Sequence, residues 1–351
     1  MASLTETAFY TRRIIKFGFL GLVAFMIFRS ISAAGLRYWR QRHPEPPPPP
    51  TVSFGKLPAI NFPEPKTSAA GFTYQLETVA GGLPTDLGDR TKVYFIPLRS
   101  ANLLDLEKAQ NQAKRMGFFN QAEKIDANRR RWQKSGVLNS VLTIDIVHGN
   151  FELEKNWPEN QTIFVEKMLA AKGQAIAEAK SFLSQYGLSH PDLETGEAKV
   201  EYLRYLAPEI IPAVSLSEAD LVKVNLFRPK LDNLPLLPPD LEEALVALLF
   251  SGSRDNEKRV LAVHYTYFPI ITETNATYPL KNITQAWEEL KAGQAFVAHC
   301  SGPEKNITIR QVYLAYFENS LPQNYLQPVY VFSGSGDFVA YVAAVSSEWT
   351  E

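Results

Sequence analysis

Chemistry in this 351-residue chain would have to come from five scattered histidines (His43, His148, His190, His264, His299), one cysteine (Cys300) and the carboxylates near them. Asp145 and His148 are the nearest approach to an acid–base pair. Three residues apart on one strand, however, they point to opposite faces, and His148 is expected to end that strand before Gly149-Asn150. His299 and Cys300 diverge for the same reason. A Cys–His nucleophile would need a distant histidine such as His264 brought in by folding, and Cys300 otherwise reads as a small buried apolar residue. The sequence contains no HExxH and no GxSxG. Gly81-Gly82 and Ser333–Gly336 lack the lysine and the strand-to-helix setting of a phosphate loop and read as turns. The pairs Glu242-Glu243 and Glu288-Glu289 read as solvated faces. The expectation is therefore no catalytic, cofactor-binding or metal-ligating set, and no cofactor.

Composition narrows the partners. Lysine and arginine number 36 against 37 acidic residues, a formal charge of -1, so nothing drives binding to a phosphate backbone and nucleic acid is not an expected partner. Hydrophobic residues at 45% and charged residues at 21% describe a globular chain with enough apolar material for a sizeable core. A single cysteine excludes an intramolecular disulfide and a Cys-based zinc site, so stability must come from packing. Asn-x-Thr triplets at Asn160, Asn275, Asn282 and Asn306 are possible glycan acceptors, to which no function is attached.

The first element is an anchor. After a short tail (1–13), residues 14–36 form a transmembrane-helix candidate. Its stretch Phe17–Leu36 carries one charge, Arg29, at a cost of roughly 2.5–3.5 kcal/mol at a helix centre and less toward an end. Phe17, Phe19, Leu20, Leu22, Phe25 and Phe28 are the residues expected to meet the lipid bilayer. A signal-peptide core and a buried helix are the alternatives; Ser32–Gly35 are small, but the basic residues directly after them argue against cleavage. Three basic residues precede the span and three follow it, so charge does not set its orientation. Residues 37–66 read as a basic and then proline-rich spacer, with Pro46–Pro50 extended as polyproline II and Pro44–Pro50 spanning roughly 20 Å.

The remainder reads as α+β: helix-plus-antiparallel-sheet units at 67–160, 161–280 and 281–351. Three segments place small or apolar residues four apart and run into a glycine, as a capped amphipathic helix does: Leu106–Gly117, Ala175–Gly187 and Thr284–Gly293. Strands are expected at Val141–His148, Lys199–Leu206, Asp220–Phe227, Ile307–Phe317, Pro328–Phe332 and Phe338–Val345, and as a hairpin at Leu245–Phe250 and Arg259–Phe268.

The last unit, TQAWEELKAG followed by ITIRQVYLAYF, LQPVYVF and FVAYVAAV, resembles the C-terminal part of YycH/YycI-type regulators and PepSY-like domains. QAIAEAKSFLSQYGL followed by KVEYLRY is similar to a further such domain, and the likeness covers Ala170–Val345 in pattern. FGKLPAINFP and GGLPTD have no counterpart in it. The resemblance implies a single-pass cell-membrane protein of the bacterial envelope with an extracytoplasmic body that holds a partner membrane or envelope protein in check, and it carries no catalytic residues. From the residues themselves, Trp287, Tyr313, Tyr316 and Tyr330 are the candidate partner-binding surface, aromatic area at low entropic cost; half-buried sheet residues are the alternative. A non-enzymatic protein-binding or regulatory module is thus expected first, with an envelope hydrolase and a structural surface module as alternatives.

Overall fold

A computed structural model describes residues 4–42, 48–64, 71–301 and 305–351 of the chain. They form two units, Met1–Pro49 and Pro50–Glu351. The first is one helix, α1 (Leu4–Arg42). Its segment Ile15–Trp39, 25 residues, is long and apolar enough to cross a membrane and buries nothing within the protein. Phe17, Phe19, Leu20, Leu22, Phe25 and Phe28 are all exposed on it. Of the proline tract, 43–47 lie outside the described residues, and Pro48–Pro50 have no regular structure.

The second unit opens with β1 (Thr73–Leu76), β2 (Arg90–Phe95), α2 (Asp105–Arg115), β3 (Glu123–Lys124), β4 (Arg129–Lys134), β5 (Ser140–Asp145) and β6 (Phe151–Lys155). There follow α3 (Lys172–Gln185), α4 (Pro191–Thr195), β7 (Ala198–Leu206), β8 (Glu209–Pro212), β9 (Leu221–Leu226), β10 (Leu236–Leu237) and β11 (Val246–Ser251). The chain ends with α5 (Asn256–Arg259), β12 (Val260–Tyr265), β13 (Ile271–Pro279), α6 (Ile283–Lys291), β14 (Phe296–His299), β15 (Asn306–Phe317), β16 (Tyr325–Leu326), β17 (Pro328–Gly334) and β18 (Val339–Ala343).

The three expected helices are α2, α3 and α6. Each buries the predicted small or apolar residues, Ala109 and Ala113, Ala179 and Leu183, Ala286 and Leu290, and each stops at a glycine in the left-handed region, Gly117, Gly187 and Gly293. Asn282 caps α6 in a reciprocal box with Gln285, and the Asn160 side chain accepts from Thr162 N at 3.0 Å, so two of the Asn-x-Thr asparagines serve as helix caps.

Strands β3-β4-β5-β6-β12-β11-β9-β7-β8 form one nine-stranded sheet. Alternate residues (Trp132, Leu142, Leu153, Val263, Leu248, Val224) point into a core roofed by α2 and α3. A second sheet, β1-β15-β17-β18-β14 with β10 added beside β15, packs α6 on one face. Its strands β1 and β10 run parallel to β15. A third, β13-β2-β16, carries Tyr94 and Tyr278.

Two expectations need correction. The division at 160 and 280 does not follow the sheets: β1 and β10 pair with β15, and β2 pairs with both β13 and β16, while the nine-stranded sheet takes its strands from 123–265 with β10 left out. The spacer is also shorter than 37–66. From Pro50 the chain packs on the body: Leu57 is fully buried and bridges Thr350, and Phe62 stacks on Phe296 with ring centres 5.1 Å apart. Apolar residues between the prolines find a sheet face to cover, and Pro58 O accepts from Gln327 Nε2 at 2.8 Å.

A buried ionic joint ties the nine-stranded sheet to the C-terminal sheets. Arg228, just after β9, donates Nε to Asp192 of α4 (2.6 Å), and one terminal nitrogen to both Phe268 O (2.9 Å) and Glu318 Oε1 (3.1 Å), beyond the end of β15. Its guanidinium lies 4.7 Å from the Tyr267 ring centre, and His190 stacks on that ring at 3.8 Å.

Candidate functional site

The long helices α2 and α3 roof one face of the nine-stranded sheet; on the other, a short 3-10 helix (Gln161–Phe164) and Trp157 cover only the end at Leu221 and Leu261. Over the rest of that second face, the strand registers line up two rows of side chains. One runs Glu154, Ala262, Leu249, Lys223, Glu201, and the next Glu152, His264, Ala247, Asn225, Lys199. Between them and the wall formed by Leu203, Ile210 and Pro212 is a trough of about 660 Å³, rimmed by Glu242 and Glu243. That volume is within the ~300–1,000 Å³ of typical ligand sites.

The rows follow from alternation. Phe151 and Leu153 of β6 face the core, so Glu152 and Glu154 face away, although β6 is an interior strand of the sheet. Buried Asn225 pins the rim: its Nδ2 donates to Glu242 O (3.3 Å) and its Oδ1 accepts from Ala244 N (3.1 Å). The lining carries five carboxylates (Glu152, Glu154, Glu201, Glu242, Glu243) against one ammonium, Lys223, and one imidazole, His264. Lys223 pairs with Glu243 at 3.1 Å, Lys199 of the second row pairs with Glu201 at 2.5 Å, and His264 Nδ1 lies 3.4 Å from Glu152, which leaves the carboxylates in excess. The imidazole holds the Glu152 carboxyl below its ordinary range. Glu154 has no ion pair among the described residues. The result is an anionic trough with an apolar floor, suited to an extended, cationic segment.

The aromatic residues expected to bind a partner do not form one surface. Tyr316 and Tyr330 are buried, their hydroxyls donating to Lys92 O (3.1 Å) and Lys281 O (2.8 Å). Burial raises both phenols, Tyr330 to about 12. Trp287 is half-buried on α6, with Phe332 at 5.9 Å, whereas half-buried Tyr313 lies on the opposite face of the same sheet. Both faces of that sheet are covered, which removes Tyr316 and Tyr330 from any partner surface.

Asp145 and His148 meet after all. The strand stops at Asp145, a turn closed by Gly149 N to Asp145 O (2.8 Å) follows, and His148 Nδ1 comes within 2.6 Å of Asp145 Oδ2. The pair braces this turn, with Asp145 Oδ1 also accepting from Val147 N at 2.9 Å. His264 lies on β12 of the nine-stranded sheet, whereas Cys300 follows β14 of the second sheet and packs, partly buried, against the core that includes Ala286 and Leu290 of α6; His299 lies 3.8 Å from Glu242. Among the described residues no group of three or more His, Cys, Asp or Glu gathers to hold a metal ion.

No family model matches the chain, and no curated protein does. A solved structure of an uncharacterized protein from Eubacterium rectale is similar at 13% identity, covering 74% of this chain and 84% of that one with a TM-score of 0.35. A likeness of that size carries no argument.

Proposed function

We propose that this chain is a non-enzymatic, single-pass membrane protein of the bacterial envelope whose body stands outside the cytoplasm. In this reading, the anionic trough holds an extended, Lys/Arg-bearing segment of another envelope protein. The anchor is α1, whose span is long and apolar enough for a bilayer. The extracytoplasmic side and the regulatory role rest on the pattern resemblance to YycH/YycI-type and PepSY-like proteins. The observation that carries the reading is the excess of carboxylates over cations on an unroofed central sheet face. Exposed ion pairs within the trough are weak, so incoming guanidinium or ammonium groups exchange for them at little cost.

The test is crosslinking in intact membranes followed by mass spectrometry, comparing the parent with a Glu152→Lys/Glu154→Lys variant and a Trp287→Ala variant. The trough reading expects the reversed charges to abolish recovery of a partner while Trp287→Ala retains it. Equal recovery from all three would remove the trough, and no partner at all would leave a structural surface module. Reporter fusions at the C-terminus read the side of the membrane separately.

A further inference from the structure

We propose that a second cleft, on the helix-covered face of the same sheet, binds a small amphipathic monocarboxylate with Lys155 as its counter-charge. The cleft measures about 450 Å³ and lies between the end of α2, α3 and strands β6, β11 and β12. Its apolar wall is Phe118, Leu138, Leu153, Phe182 and Phe250.

Strand register places a cation where the core would continue. In β6, Phe151, Leu153 and Lys155 share the face that looks toward the helices, and the first two are buried in the core. Lys155 pairs with Ser140 and Ser140 with Lys134, so Lys134, Ser140 and Lys155 form a polar row across three strands at the core's edge. All three line the cleft, with Arg259 beside them.

The charges of the cleft do not balance. Arg259 is committed to both oxygens of Glu178 at 2.6 Å and to Ser251 O at 2.6 Å, and Lys134 pairs with Glu257 at 3.0 Å. Half-buried Lys155 donates only to the main-chain oxygen of Glu257 at 2.6 Å, with no carboxylate at ion-pair distance among the described residues. Within the lining, three cations thus face two carboxylates, Glu178 and Glu257, with Asp255 outside the lining acting on Lys155 from a greater distance. Burial, with Lys134 nearby, pulls the Lys155 ammonium below its ordinary range even though Glu257 and Asp255 oppose this. A carboxylate supplies the missing counter-charge and uses the remaining donors of Lys155, while its chain covers the phenylalanines. The volume is at the small end of ligand sites, which selects a short chain with one head group.

The experiment is saturation-transfer NMR titration of the full chain in detergent with 4-phenylbutyrate, against neutral 4-phenylbutanol and against the Lys155→Met and Lys155→Arg variants. Binding of the carboxylate is expected to weaken at least tenfold in Lys155→Met and for the alcohol, and to persist in Lys155→Arg. Equal binding of acid and alcohol, no binding of the acid at millimolar concentration, or unchanged binding by Lys155→Met would overturn the proposal. Should Lys155→Met fail to fold, the acid–alcohol comparison and Lys155→Arg decide it. The Glu152→Lys/Glu154→Lys variant should keep the carboxylate site, so failure here is distinct from failure of the trough.

Discussion

Replacing Arg228 by methionine tests the buried joint between the sheets. The side chain is 6% exposed, and its loss strands two carboxylates unequally. Asp192, with 26% of its side chain exposed, keeps the Tyr267 hydroxyl at 3.1 Å and some access to water. Glu318, 15% exposed, loses the only cation paired with it among the described residues. Removing one member of a buried pair costs about 3–5 kcal/mol, most of which should fall on Glu318. Burial already raises the Glu318 carboxyl above its ordinary 4.5, with Arg228 opposing that and Asp192 adding to it. Without Arg228 it rises further. A group whose folded pKa is raised stabilises the fold below the unfolded value and loses that contribution as pH climbs through the folded value. The deficit of Arg228→Met should therefore be small near pH 4.5, where Glu318 takes up a proton, and reach about 3–5 kcal/mol by pH 8. Urea unfolding of the full chain in detergent, followed by tryptophan fluorescence at both pH values, measures it. Arg228→Lys, which keeps the charge without the fork, should fall between. A loss below about 1 kcal/mol at pH 8, or an equal loss at both pH values, would refute the assignment of Glu318 as the stranded charge.

Other positions give simpler outcomes. Phe62→Ala empties a half-buried site between Phe296 and Phe317 and should cost about 2 kcal/mol while speeding protease cleavage within 50–64; unchanged cleavage would mean the segment is not held there. Gly196→Ala would place a methyl group 1.8 Å from Phe227 O, so a loss of about 3 kcal/mol or more in unfolding free energy is expected. The full chain should sediment with membranes, resist alkaline carbonate and be released by detergent, whereas recovery in the carbonate supernatant would count against α1 as a span.

Local signals were readable and distant pairings were not. The Ala/Leu spacing and closing glycines located α2, α3 and α6, because a helix is set by neighbours three and four residues away. β4, RRRWQK, and β2, RTKVYF, escaped notice because their cationic residues hide the alternation of which buried Trp132 and Val93 are part. Nothing local announces that β1 lies beside β15, some 230 residues on. The unbroken apolar run Leu314–Phe317 did carry the sign of a sheet covered on both faces, which is why Tyr316 is core and not surface. Leu57, Ile60 and Phe62 among the prolines likewise signalled packing. The polar alternation of Glu152 and Glu154 was visible too, but it means an open face only once β6 is known to be an interior strand.

Both proposed sites fall at one place in the architecture, and geometry explains why. The nine-stranded sheet consists of two helix-plus-antiparallel portions, β3 to β6 preceded by α2 and β7, β8, β9, β11 and β12 preceded by α3, joined through the antiparallel pair β6–β12. The helix α2 lies over β5, and α3 lies over β7 and β9. The roof is therefore thinnest over the joining strands, and the cleft at Lys155 occupies that gap. On the reverse face the same strands present Glu152, Glu154 and His264, with no helix to cover them. Where two such portions meet, side chains at the seam are freed from filling a core, and a lysine at the register of Phe151 and Leu153 can stand there at small cost to folding. Opening or shifting the β6–β12 pair would alter trough and cleft together. That coupling predicts that 4-phenylbutyrate in the cleft changes partner recovery through the trough, and that recovery indifferent to the acid would show the two faces to be independent.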